Sequence, residues 1–343
     1  MTIRAYLELF GGGAACALAL QGGPSCVPPV GYMGGKRKLA PNILGAAGLR
    51  TGERAERVLL CDAGLWGEVW HQVVTDAPGL AARLIAWEGR DPSELWRSLA
   101  MAPRPEDPQE RAAAYLWLQG RTANNSPVWW SGDDLRMCQK NHVGKACQQH
   151  APIVMPSNGA RGPGETAALE RPPRWVMPNP PRGDRCTLKS VSERGKRAGA
   201  DTVTSGVSKP STVAMRILAA GRALAGARVD RQHPDPHEVS VWLGTPGDLS
   251  GVVVMLDPPY VGATRYEATC PRADVVALAL AYRALGTTVI ICEAEALPEL
   301  LTLGWHGLDL RAGAPGKPEW LTCSDVPHHL ARPQLALPLR GAA

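Results

Sequence analysis

No apolar stretch in this chain approaches the roughly 20 residues that a helical bilayer crossing needs, which excludes a long transmembrane helix. The opening, Met1-Thr2-Ile3-Arg4-Ala5-Tyr6, runs straight into patterned sequence, and Glu8 interrupts its apolar run, so it does not read as a secretory signal. A disulfide framework is missing too. The nine cysteines are odd in number and scattered, and Cys61 and Cys292 sit in apolar segments. A reduced, cytoplasmic setting is the simpler expectation. There is no internal repeat, and the net charge of +5 is modest. At 343 residues and 45% hydrophobic content, the chain is long enough for one large core, or one core with a smaller lobe.

The charge is unevenly placed. From Arg171 to Arg231 there are 13 Lys/Arg and 4 Asp/Glu, a local net of +9. A basic segment inside an otherwise slightly acidic chain points to a polyanion contact, or to a solvated insert. Three zones follow from the patterning. Residues 1–100 alternate short apolar runs with glycine turns and helical patterns. Residues 101–210 are rich in proline, glycine, tryptophan and arginine, with one clear helix near Pro108–Gln119. Paired prolines at Pro172-Pro173 and Pro180-Pro181 exclude a regular helix or a central strand there. Residues 211–343 return to alternation. A helix is expected over Thr212–Ala227, strands over Val239–Leu243 and Val252–Leu256, a helix over Arg272–Leu285 and a strand over Thr288–Cys292. The first and third zones read as two halves of one largely parallel sheet, with the middle zone inserted as a second lobe.

Two segments carry chemistry. Val252–Leu256 is a run of five apolar residues, as in a fully buried strand, and Asp257-Pro258-Pro259-Tyr260 follows it directly. The two prolines forbid helix and further strand pairing, so an acid and an aromatic ring are held at the strand's carboxyl end. In open α/β sheets, ligands bind at that end. Near the amino terminus, Tyr6-Leu7-Glu8-Leu9-Phe10-Gly11-Gly12-Gly13-Ala14-Ala15 reads as strand, glycine turn and Ala/Leu-rich helix. A turn of this kind lets backbone approach a nucleotide closely. It lacks the Lys-Ser/Thr ending of a phosphate-binding loop, so ATP hydrolysis is not expected.

These segments resemble the Dam-type, adenine-specific DNA methyltransferases. Asp257–Tyr260 resembles the catalytic loop of the amino-methyltransferases. Glu8-Leu9-Phe10-Gly11-Gly12-Gly13 resembles the family's S-adenosylmethionine motif, Glu-Pro-Phe-x-Gly-x-Gly. Leu9 stands in place of proline and Ala14 in place of the last glycine, and Phe10, the single phenylalanine, falls on the family's position. Tyr32-Met33-Gly34-Gly35-Lys36 resembles the family's aromatic-x-Gly-Gly-Lys element, although it follows the glycine-rich strand here rather than preceding it. Asp62, ending the apolar run Val58–Cys61, matches an acid that would hydrogen-bond the cofactor, and equally suits a helix N-cap. The next acid, expected after Val239–Leu243, is replaced by Gly244-Thr245, with Asp248 nearby.

Arg121, Asn124 and Asn125 resemble the family's Arg-x-x-x-Asn-Gly loop, with Ser126 for the glycine. The resemblance implies contact with DNA and the extruded nucleotide. Arg174, Arg182 and Arg185 in the basic zone are further DNA-binding candidates. Trp129, Trp130 and Trp175 suit either base stacking or a small-lobe core. Cys138, His142, Cys147 and His150 do not match a common zinc pattern, and no metal is expected.

The resemblance thus implies an α/β, Rossmann-like methyltransferase sheet with an irregular target-recognition lobe. It implies S-adenosylmethionine as cofactor and DNA as partner, with neither a membrane nor an obligate protein partner. The implied reaction is methylation of adenine's exocyclic amine after base flipping, with Asp257, Pro258, Pro259 and Tyr260 as the catalytic loop. Open beside it are a cytosine amino-methyltransferase, an RNA adenine methyltransferase, and a non-catalytic nucleic-acid-binding protein on the same fold.

Overall fold

A computed structural model describes residues 3–31, 35–121, 127–137, 208–260, 270–311 and 318–327. Its centre is a seven-stranded sheet. In chain order the strands are β1 (Ile3–Leu9), β2 (Ala55–Cys61), β5 (Arg228–Asp230), β6 (Val252–Leu256), β7 (Thr288–Glu293), β8 (His306–Asp309) and β9 (Trp320–Cys323). Across the sheet the order is β5-β2-β1-β6-β7-β9-β8. The first five of these lie parallel, and β9 runs antiparallel to both β7 and β8. Strands of the first and third zones therefore pair directly, as Leu7 does with Leu59 on one side and Val254 on the other.

Alternation along the central strands divides the core. Ala5, Leu7, Leu9, Val252, Val254 and Leu256 face one side; Tyr6, Val253 and Met255 face the other. Helices α1 (Ala15–Gly22), α2 (Ala40–Ala46), α3 (Leu65–Ile85), α4 (Pro92–Met101), α5 (Pro108–Gln119) and α6 (Pro210–Ala223) contribute to the second face. Helices α7 (Pro236–Trp242), α8 (Arg272–Ala284) and α9 (Pro298–Leu301) cover the first. Burial on both faces is why β6 reads as an uninterrupted apolar run rather than an alternating one.

Helix α5 forms where expected, started by Asp107, whose side chain accepts from the Glu110 N–H at 2.7 Å, and by Pro108 at its first position. It packs on α3 and shares its core. Beyond it, β3 (Val128–Ser131) and β4 (Asp134–Met137) make an antiparallel hairpin, and Trp129 and Trp130 join that same core. Pro78 sits inside α3 and coincides with a break at Asp76 (φ −152°).

Two expectations are corrected. Val239–Leu243 is not a strand: helix α7 runs over it, because Asp235 caps with Oδ1 accepting from the His237 N–H and Pro236 takes the first helical position. The preceding helix spans Pro210–Ala223 rather than Thr212–Ala227. Proline again starts it, and Gly226 at φ 78° follows its end. No described helix is long and apolar enough to cross a membrane.

Candidate active site

The chain runs outward from β1 in both directions, to β2 and β5 on one side and to β6 and β7 on the other. That reversal opens a crevice at the carboxyl ends of β1 and β6. A cleft open to solvent lies there. Its lining includes Glu8, Phe10, Gly11, Gly12, Gly13, Gly35, Lys36, Asp62, Asp257 and Pro259.

The glycine turn leaves β1 through Phe10 (φ 59°) and returns to α1 through Ala14 (φ 47°). Both are left-handed non-glycine residues, so the turn stores strain where the cleft begins. Ala14 occupies the conformation a glycine adopts freely, which is the physical meaning of its substitution. Second-strand groups hold the turn. The Gly11 N–H donates to the Cys61 carbonyl (2.9 Å), and the Gly12 N–H donates to Asp62 Oδ2 (2.9 Å). The Gly12 carbonyl accepts from Trp70 Nε1 (2.7 Å). A Cβ on Gly11 would stand 3.3 Å from the Glu8 carbonyl oxygen, a tight contact that the turn would have to relieve by shifting a few tenths of an ångström.

Asp62 is not the N-cap of α3, a place Gly64 takes without a side-chain bond; its Oδ1 accepts from the Gly64 N–H at 2.8 Å just before the helix, while Oδ2 braces the glycine turn. Burial pushes its pKa up, against the pull of the Gly12, Gly64 and Gly67 N–H groups. Glu8 lies deeper, 2% exposed, accepting from the Ala17 N–H at 2.6 Å. Burial raises its carboxyl to about 8, outweighing the hydrogen bonds it accepts from backbone.

The catalytic-loop candidates sit opposite. The Asp257 N–H donates to the Leu9 carbonyl (3.1 Å), tying the loop to the end of β1. Lys36 Nζ lies 2.7 Å from Asp257 Oδ1, 3.5 Å from Glu319 Oε1 and 4.9 Å from the centre of the Tyr260 ring. The Tyr260 hydroxyl donates to Glu319. Burial lifts the Asp257 carboxyl to about 6 even though Lys36 pulls it down. Burial also works against the lysine's charge, but Asp257 and the neighbouring groups hold its pKa well above the ordinary value. Asp257 and Pro259 line the cleft, Pro258 is buried, and half-buried Tyr260 lies beside them. Although the Gly-Gly-Lys element follows β1 in the chain, Lys36 still reaches the Asp257 loop.

Trp66, Tyr115, Glu319 and His233, which sequence reasoning missed, also shape the site. Trp66 and Tyr115 meet edge to face at 5.7 Å and line a wall with Pro127 and Trp129. Trp129 is carried there by the β3–β4 hairpin, whose Val128 N–H donates to the buried side chain of Gln119 (3.2 Å). Of the two readings of this tryptophan, the structure bears out the core, and the residue also lines the cleft. Glu319 comes from the start of β9. His233 packs on Phe10, ring centres 3.8 Å apart and planes tilted by 47°, and meets Cys61 Sγ through Nδ1 at 3.2 Å; burial lowers its pKa to about 4.

An acid, Asp230, ends β5 beside Cys61 in register, paired with Arg228 and not among the residues that line the cleft. Asp248 lies at the other end of the sheet, paired with Arg4. Arg121 packs its guanidinium over the Trp117 ring at 3.8 Å, and burial lowers its pKa to about 10. Tyr32, Gly34, Asn124, Asn125, Arg174, Arg182 and Arg185 lie outside the described residues, as do Trp175, Cys138, His142, Cys147 and His150. No cluster of three metal-binding side chains occurs among the described residues.

No protein-family model matches the chain, and no curated protein matches it at a significant level.

Proposed function

We propose that the chain is an S-adenosylmethionine-dependent methyltransferase acting on the exocyclic amine of adenine in DNA, on a base turned out of the duplex. One observation carries this reading: Asp257-Pro258-Pro259-Tyr260 ends buried β6 and faces, across the cleft at the sheet's reversal point, the glycine turn that ends neighbouring β1.

The residues present fit the cofactor. Two acids, Asp62 and Asp257, line the cleft against one lysine, with Glu8, raised to about 8, adding a largely protonated carboxyl near neutral pH; the balance suits a ligand bearing a sulfonium and an ammonium. The glycine turn admits close backbone approach, and Phe10, Leu65 and Trp66 offer apolar surface to an adenine ring. Glu8, Phe10, Gly11–Gly13 and Asp62 would hold it. When bound, S-adenosylmethionine supplies an electrophilic methyl group.

The amine of adenine is a weak nucleophile because its lone pair is delocalised into the ring. Lys36 occupies Asp257 Oδ1, which leaves Oδ2 to accept a hydrogen bond from the amine. The Pro258 carbonyl accepts the other hydrogen. Together they localise the lone pair and aim it, catalysis by orientation and electrostatics. As the new carbon–nitrogen bond forms and the carbon–sulfur bond breaks, the amine sheds one proton. A carboxylate raised to about 6 accepts it more readily than an ordinary aspartate would. Tyr260, and Trp129 on the opposite wall, provide aromatic surface for the extruded base, since the target atom is out of reach within the duplex.

The direct test is incubation with labelled S-adenosylmethionine and mixed-sequence DNA, or RNA, followed by nucleoside analysis. Label in N6-methyl-2′-deoxyadenosine from DNA supports the reading. Label only in cytosine or RNA transfers it to those substrates, and no transfer to either polymer overturns it.

A further inference from the structure

Parallel strands bring only their carboxyl ends to the cleft. Antiparallel β9 brings its amino end, and Glu319 stands there, one residue before the strand. Trp320 pairs with Glu293 at the end of β7, and the Glu319 carbonyl accepts from the Leu310 N–H at 2.8 Å, so the backbone is fixed on both sides. The side chain is buried, with 8% of the residue exposed. Its Oε1 accepts from the Tyr260 hydroxyl and lies 3.5 Å from Lys36 Nζ. Lys36 in turn holds Asp257. The tetrapeptide is thus anchored at its first residue through Lys36 and at its last through Glu319. Both anchors converge on one buried oxygen, 59 residues away in sequence from the loop it fixes.

We infer that Glu319 is a positioning residue for methyl transfer: it sets the ring plane of Tyr260 and the place of Lys36, and so the carboxylate of Asp257. This rests on the methyltransferase reading for its consequence, though the anchoring contact is independent of it. Glu319 is not among the residues lining the cleft, so it acts through its neighbours rather than on the base. A hydrogen bond to an ionised acceptor is among the stronger ones, and misplacing a reacting group by about 1 Å costs up to about 100-fold in rate.

The test uses the full chain with Glu319→Gln and Glu319→Ala. Single-turnover transfer slows about tenfold or more, while the Kd for labelled S-adenosylmethionine stays within about threefold. Tyr260→Phe also slows transfer, and Glu319→Ala costs less in that background than alone, because the Tyr260–Glu319 bond is common to both changes. The second readout is fluorine NMR of protein grown on 3-fluorotyrosine. There are six tyrosines, and Tyr260→Phe identifies the Tyr260 signal. Glu319→Gln shifts that signal and leaves the rest in place. Wild-type transfer rates in Glu319→Gln, or an unmoved Tyr260 signal, overturn the inference. If the wild-type chain transfers no methyl group while the signal still moves, the methyltransferase reading falls and the anchor stands.

Discussion

Lys36 and Asp257 form an ion pair of 2.7 Å between Nζ and Oδ1, with 3% of the lysine side chain and 17% of the aspartate exposed. A buried pair of this kind costs desolvation of both partners, so its value lies less in net stability than in what happens when one partner is removed. Here the pair joins two elements that the chain keeps far apart, the glycine-lysine turn after β1 and the loop after β6. The cation also sits where it can fix one carboxylate oxygen and leave the other for substrate.

Lys36→Met therefore leaves a buried carboxylate without its cation. Breaking such a pair typically costs about 3–5 kcal/mol. Adding Asp257→Asn removes the orphaned charge, so the double variant recovers a large part of the loss. Urea unfolding of the wild type, both single variants and the double variant near neutral pH measures this coupling. Equal losses that simply add would mean that the two side chains do not interact.

In the proposed reaction, methyl transfer would depend on ionised Asp257, whose pKa is raised to about 6. Protonation removes its ability to accept from the amine, so the rate falls as pH drops through about 6, roughly tenfold for each unit below it. An ordinary aspartate would lose activity about two units lower. Asp257→Asn and Asp257→Ala abolish transfer at every pH while S-adenosylmethionine binding persists. A pH profile of single-turnover transfer, with binding measured separately, checks both statements. A rate unchanged well below pH 6 would separate Asp257 from the chemistry.

What could be read from sequence was what local chemistry dictates. Val252–Leu256 and its two prolines define a buried strand and its end within nine residues. The glycine turn before α1 is equally local. Val239–Leu243 misled because β-branched and aromatic residues suggest a strand, whereas Asp235-Pro236 had already set a helix start a few residues upstream. Asp230 escaped notice because a strand of three residues is too short to alternate. Glu319, and the place of Trp129 beside the cleft, were legible only through topology. One depends on an antiparallel strand reaching the sheet's carboxyl edge, the other on a hairpin folding back over α5.

Gly67 lies on the first turn of α3, directly against the residue that braces the glycine turn. A Cβ there would fall within the van der Waals radius of the Asp62 carbonyl oxygen, which is backbone and has little room to give. Gly67→Ala therefore displaces the Asp62 turn rather than a flexible side chain. Overpacking of this kind costs about 1–3 kcal/mol, and it loosens the Gly12–Asp62 bond at the cofactor half of the cleft. S-adenosylmethionine binding weakens in Gly67→Ala, whereas Gly226→Ala, at a solvent-facing turn with no atom near its Cβ, leaves binding unchanged. Isothermal titration of the two variants distinguishes a local effect on the cleft from a general loss of stability.

Glu8 makes the stability of the protein depend on pH in an unusual direction. Its carboxyl moves from an ordinary 4.5 to about 8 in the fold, with burial as the main cause. Between those values the folded protein retains a proton that the unfolded chain has released. Stability contributed by that proton is complete below about 4.5 and is lost as pH rises to about 8. The steepest part of the loss is about 1.4 kcal/mol per pH unit. Asp257 adds to the same trend over its own lower window, up to about 6. Glu8→Gln isolates the first contribution, because the amide oxygen still accepts from the Ala17 N–H but has no proton to lose. Urea midpoints measured from mildly acidic to mildly basic pH fall more steeply in the wild type than in Glu8→Gln, and the two curves run parallel above about 8. Parallel curves throughout would mean that Glu8 ionises in the fold as an exposed glutamate does.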